Sequence, residues 1–226
     1  MRWIALLLAI VLCASPLSAT PNPYRLLRSI SVLQADGRNI CSVTSINNDK
    51  KYYLTAAHCV LANFPFPGNQ DPDMDKTFVA VPNANMSIDG HPAYLLDVNV
   101  DGDMAILFVP YANRPALRLS EKGVRYSDKI TVAGHPLGWN QPTIFHGWVA
   151  SPSLRFTEDF DAYPFNKFYM ILQVAGAPGN SGSSVVNEAM KIVGIVQISW
   201  GRSFEPVLGA SPYADLKAFA GKYFTK

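Results

Sequence analysis

The chain has little sulfur and little charge. Three cysteines occur in 226 residues, and charged side chains make up only 16%, below the usual share of about a quarter. Nineteen basic against seventeen acidic residues leave a formal charge of +2. That is too small to make a polyanion the main partner, so a dedicated nucleic-acid binder is excluded. Glycine and proline number 15 and 17, too few for a collagen-like or low-complexity chain. No repeat of fixed period runs through the sequence. No His-Glu-x-x-His pattern offers a zinc site. Nothing reaches the eighteen or so consecutive apolar residues of a membrane span. What is present is a globular composition, 49% hydrophobic and 12% aromatic, long enough to bury one large core or two small ones.

The first twenty residues stand apart. Arg2 precedes an apolar run over 4–12, and small residues follow through Ala19. The run is about half of what a spanning helix needs, so 1–19 reads as a secretory signal peptide rather than an anchor or buried helix. Cleavage after Ala19 would remove Cys13 and leave Cys41 and Cys59. That is an even count for an oxidising compartment, where a disulfide is favoured. The product is expected to be secreted, extracellular or periplasmic, with no stable membrane association.

Strand-like segments dominate the rest. Residues 40–46, 51–55, 77–81, 104–109, 129–133, 143–151, 168–174, 183–186 and 192–198 are short, rich in Val, Ile, Phe and Tyr, and separated by Gly, Pro, Asn and Asp. This pattern predicts an all-β sandwich or barrel. One helix is expected near the C-terminus, over about 212–222, with Ser211 as N-cap and Pro212 in the first helical position. The stretch from about 113 to 128 has little periodicity and reads as a linker between two β halves, about 24–112 and 129–210.

Three motifs carry possible chemistry. In Thr55-Ala56-Ala57-His58-Cys59 a strand ends in a tight turn that holds a histidine next to a cysteine. A Cys41–Cys59 bridge would staple the preceding hairpin to this turn, although the histidine beside it could be incidental. In Asp101-Gly102-Asp103 an acid enters an apolar strand. Asp103 adjoins that strand and would need a hydrogen-bonded partner if buried, whereas Asp101 is the solvated competitor. In Gly179-Asn180-Ser181-Gly182 glycines flank a serine, an arrangement that can expose the hydroxyl and aim successive N–H groups at one point. The Gly-x-Ser-x-Gly elbow of α/β-hydrolases fails here because Ser183 occupies its fifth position. Taken singly, each motif also reads as an ordinary bridge, turn acid or polar loop.

Their order, histidine, then aspartate, then serine, resembles the chymotrypsin-like (trypsin-like) serine proteases, and the likeness extends over roughly 25–225. Gly134-His135-Pro136-Leu137-Gly138 is similar to a turn of the bacterial periplasmic stress proteases, and Ser199-Trp200-Gly201 to the family's substrate-binding edge strand. The resemblance implies two packed antiparallel β-barrels with a C-terminal helix and a single protease domain over 20–226. It implies catalysis by His58, Asp103 and Ser181, an oxyanion hole from the N–H groups of Gly179 and Ser181, and a primary pocket around Ala175, Gly176 and Gly209. Protein or peptide substrates, no cofactor and no metal follow, and a monomer is expected. The Asp71, Asp73, Asp75 cluster lacks the glycine and closing glutamate of a calcium loop and reads as solvated. His91, His135 and His146 read as loop or structural residues. Asn180 stands where digestive members carry the aspartate that pairs with a new N-terminus, so activation of that type is not expected. The alternative is a catalytically inactive, protease-like binding module; a complete set of reacting residues argues against it.

Overall fold

A computed structural model describes residues 22–62, 81–156, 167–199 and 207–224. The expected signal segment, the cluster at 71–75, most of the segment 77–81, and Trp200 and Gly201 lie outside the described residues.

The first half opens with α1 (Pro23–Ser29), where the Asn22 side chain accepts from the Tyr24 N–H at 2.9 Å and Pro23 holds the first turn. There follow β1 (Ile30–Ala35), β2 (Arg38–Asn47), β3 (Tyr52–Thr55), β4 (Ser87–Ile88), β5 (His91–Pro92), β6 (Tyr94–Asn99) and β7 (Met104–Phe108). Two tight hairpins share one device. Asp36-Gly37 and Asp89-Gly90 both have positive φ at both residues, the twist that matches two flanking strands. The seven strands form one antiparallel sheet in the order β5-β4-β1-β2-β3-β7-β6.

The second half contains β8 (Lys129–Gly134), β9 (Thr143–Phe156), β10 (Lys167–Gln173), β11 (Ser184–Asn187), β12 (Ile192–Ser199) and β13 (Leu208–Ala210). They close into a barrel, β10-β13-β12-β11-β8-β9. The expected all-β, two-barrel architecture is thus the observed one, with the first barrel an open, curled sheet among the described residues. Residues 113–128 carry no strand beyond an isolated bridge of Leu119 to Ile192.

The C-terminal helix α2 (Tyr213–Ala220) begins later than expected. Its N-cap is Pro212, and Ser211 does not cap it. The Ser211 hydroxyl instead accepts the Ile195 N–H at 3.1 Å, tying the helix entry to β12.

Three apolar clusters fill the molecule. One lies within the first sheet and one within the closed barrel. The third joins them: Leu26 of α1, Leu54, Ile106, Leu117, Val186, Ile195 and Leu216 of α2 are all buried together. Each such side chain contributes about 1.5–3 kcal/mol by leaving water, so the two halves are fixed against one another along a continuous apolar seam. A polar tie pins the start of the linker to the first half. Arg114 grips the Asp89 carboxylate through two nitrogens and donates to the Ile30 carbonyl at 2.8 Å. Burial opposes ionisation of Asp89, but hydrogen bonds from Arg114 and Ser31 and the guanidinium charge hold its carboxyl below the ordinary range.

Candidate active site

β3 ends at Thr55, and Ala57–Cys59 form one 3-10 turn. Ala56 and Ala57 are fully buried, so only small side chains fit where the turn presses on the core. His58 projects from this turn. Asp103 precedes β7 with φ 49, a left-handed conformation uncommon outside glycine, asparagine and aspartate. Its carboxylate meets the His58 imidazole, with Oδ2 2.9 Å and Oδ1 3.1 Å from Nδ1. Oδ1 also accepts the backbone N–H of His58 at 2.9 Å. One carboxylate therefore fixes both the ring and the turn that carries it. An ionised carboxylate can only accept, which places the imidazole proton on Nδ1 and leaves Nε2 as the acceptor. The two side chains are only 13% and 11% exposed, as a compensated ion pair or hydrogen-bonded pair requires. The partner of His58 is Asp103 and not Asp101.

Ser181 lies in the loop between β10 and β11 and is partly exposed. Gly179 has φ 92, and an added Cβ there would sit 2.6 Å from the His135 carbonyl oxygen. Gly182 has φ 80, and a Cβ there would lie 2.1 Å from the Ser42 carbonyl oxygen. Both positions require glycine on conformation and space alike. The Asn180 N–H turns inward to the Ala177 carbonyl at 3.1 Å, and the Gly182 N–H to Val196 at 2.8 Å. Between and before them, the N–H groups of Gly179 and Ser181 have no acceptor among the described residues. Amides left without an internal acceptor at such a turn are the raw material of an anion-binding nest.

Histidine and serine belong to different halves, and Ser42 on β2 links them. Its N–H donates to the Ser181 carbonyl at 2.9 Å. Its hydroxyl donates to the Gly179 carbonyl and accepts the His135 N–H, both at 2.8 Å. Its carbonyl accepts the Thr55 hydroxyl at 2.8 Å. The neighbouring Cys41 is bonded to Cys59, beside His58, with Cα atoms 6.0 Å apart. A path of one disulfide and one hydrogen bond thus runs from the His58 turn to Ser181. The bridge consumes both thiols, so the grouping of Cys41, His58 and Cys59 offers an ion only the imidazole.

Other expected site residues are placed in part. Ala175 is half-buried and Gly176 buried, at the foot of the serine loop. The side chain facing Gly176 is that of Leu208, whose Cδ2 lies 2.2 Å from where a Gly176 Cβ would be. The expected Gly209 is its neighbour and pairs with Ile198 and Ile171. Ser199 ends β12 opposite Leu208. Sequence reading missed Ser42, Leu208 and Gln197. Gln197 is 5% exposed and donates from Nε2 to the carbonyls of Gly102 and Asp103, the latter at 3.0 Å. The available signal for it was a long polar side chain inside an otherwise apolar strand. Of the remaining histidines, His135 is buried with Nδ1 2.7 Å from the Trp139 carbonyl, and His146 contacts Thr131. An open cleft of about 830 Å³ adjoins the Asp103 turn without including Ser181 or His58; Asp101, Gly102, Lys167 and Asp215 line it. Burial there pushes the Lys167 amine down to about 8, against the pull of Asp103, Asp215 and Asp101.

The fold has solved counterparts. The Rv3671c protease from M. tuberculosis, in its active form, superposes with TM-score 0.67 at 15% identity, covering 92% of this chain and 90% of that one. Its inactive form gives TM-score 0.66 at 16% identity, covering 90% of this chain and 97% of that one. The serine endoprotease from Yersinia pestis gives TM-score 0.60 at 18% identity, covering 88% of this chain and 64% of that one. At these identities the likeness is one of fold. No curated protein matches the chain. The trypsin-like peptidase domain model matches residues 41–195, a stretch that holds His58, Asp103 and Ser181, and the chain therefore belongs to the trypsin-like peptidase domain family.

Proposed function

We propose that the chain is a secreted serine endopeptidase that works through an acyl-enzyme. The observation that carries this reading is the imidazole of His58, held by Asp103 through Nδ1, together with a glycine-flanked serine and two amides without an internal acceptor in the loop that Ser42 bonds to β2. In the reaction Ser181 Oγ bonds to the substrate carbonyl carbon while His58 Nε2 takes its proton. The negative oxygen accepts from the N–H groups of Gly179 and Ser181, of which one donor is typically worth about 10²–10³ in kcat. His58 then gives the proton to the amide nitrogen as the carbon–nitrogen bond breaks. Water repeats the sequence and frees Ser181. Asp103 holds the ring tautomer and stabilises the imidazolium.

Asn180 is uncharged and 1% exposed, so it supports a loop that needs no ion pair with a freed N-terminus. Among the described residues assigned to the primary pocket, Ala175, Gly176 and Gly209, none is acidic. The isobutyl group of Leu208 against Gly176 supports a shallow apolar pocket, suited to a small or medium uncharged side chain. The substrate backbone would add as a strand along Ser199.

Labelling of the mature protein with a fluorophosphonate tests the reading. Wild type should label, Ser181→Ala should not, and His58→Ala should label far more slowly. Labelled enzyme should cleave peptides after uncharged residues. A folded wild type that takes no label would sink the proposal, and strict cleavage after Arg, Lys or Glu would sink the pocket assignment.

A further inference from the structure

We infer that Gln197 is a positioning residue that acts through Asp103. Its side chain leaves β12 of the closed barrel and crosses to the turn before β7 in the other half. Both Nε2 hydrogens are used there, one on the Gly102 carbonyl and one on the Asp103 carbonyl. The amide cannot be turned over, because Oε1 would then face two carbonyl oxygens. Gln197 is 5% exposed, and its Oε1 has no protein partner among the described residues. A buried glutamine with one end unpartnered is costly, so its place is not explained by stability alone.

The grip falls where the backbone needs it. Asp103 sits at φ 49, a left-handed conformation that aspartate tolerates better than most residues, and the bonds around it fix which way its peptide faces. Two other bonds help define the turn: Gly102 N–H to the Asn99 side chain at 2.8 Å, and Asp103 N–H to the Val100 carbonyl at 3.0 Å. Those bonds hold the amide side of the turn. Gln197 alone, among the described residues, holds both of its carbonyls from the opposite barrel. The direction of the Asp103 carboxylate, and with it the two contacts to Nδ1 of His58, follows from that peptide orientation. Gln197 consequently ties the closure of the two halves to the alignment of the pair.

Gln197→Met tests this, since methionine keeps the length and removes both donors. For the enzyme acting on a peptide substrate, kcat should fall about tenfold or more with KM nearly unchanged. The loss should stay short of the ~10⁴ seen when the aspartate of such a triad cannot act at all. In both proteins the proton of the His58 Nδ1–H···Asp103 bond should give a low-field NMR resonance, and it should move upfield in Gln197→Met. Lys167, Asp215 and Asp101, the charged groups that share the cleft beside Asp103, are untouched by the change. The kinetic arm rests on the peptidase reading, whereas the NMR arm needs only folded protein, so the two failures are distinguishable. If Gln197→Met does not fold, Gln197→Asn, one methylene too short to reach, carries the same expectation. An unmoved resonance in a folded variant overturns the inference, whether or not kcat has fallen.

Discussion

The two halves of the molecule fix the groups proposed to react by different means. In the open sheet, His58 and Asp103 are held by side-chain bonds: three contacts of one carboxylate, and a disulfide next to the imidazole. In the closed barrel, Ser181 is held by main chain: glycines at φ 92 and 80, and backbone bonds to Val196 and Ser42. The His58–Asp103 pair can thus be detuned one contact at a time. The Ser181 loop has less of that gradation, because a Cβ at Gly182 meets the Ser42 carbonyl as well as the Thr55 hydroxyl, and the main chain cannot turn away.

The sharpest way to break this contrast is Gly182→Ala. The added methyl would meet the Ser42 carbonyl oxygen at 2.1 Å and the Thr55 hydroxyl at 2.3 Å, at a φ that disfavours alanine. The collision separates Ser181 from β2, and a displacement of about 1 Å at a reacting group can cost about 10² in rate. Turnover of a peptide substrate by the folded variant should fall by at least that much; turnover within threefold of wild type would show the loop more yielding than its geometry. Next comes the paired substitution Cys41→Ala and Cys59→Ala. Removing a bridge across 18 residues should lower unfolding free energy by about 3 kcal/mol, read by urea denaturation. The loss of turnover should be smaller than for Gly182→Ala, because the Ser42 bonds remain.

What was legible in the sequence follows the same division. Segments with clear alternation or long apolar runs, such as β2, β7, β8 and β12, were readable because their cores lie on one or both faces. β4 and β5 have two residues each, too short for any period, and α1 is a seven-residue helix with a proline near its start. The three residues proposed to react, His58, Asp103 and Ser181, could be singled out because each sits in a local motif. Ser42 and Gln197 could not, since their partners lie 137 and 94 residues away in sequence. Ser211 shows the converse error: a residue type apt for capping is used instead by a strand amide 16 residues distant.

The smallest expected effect concerns the seam between the halves. Burial pushes the His135 imidazole below its ordinary value of 6.5, and the hydrogen bond to the Trp139 carbonyl only partly opposes this. Arg114 adds to the lowering and Asp89 resists it. A base with a depressed folded value binds fewer protons folded than unfolded once the pH drops to about 6.5 and below. Unfolding then takes up a proton, so stability falls as the pH is lowered from 7 towards 5 and is fully retained above 7. His135→Gln keeps an amide donor for Trp139 and has no proton to take up. Its melting temperature should lie near or slightly below that of wild type at pH 7.5, and should decline less steeply towards pH 5. His135 also donates its N–H to Ser42, which holds Gly179, so amide exchange in the 176–182 loop should rise in acid for wild type and less for the variant. Equal slopes would detach the nucleophile loop from this histidine and leave its rigidity to the glycines and β2 alone.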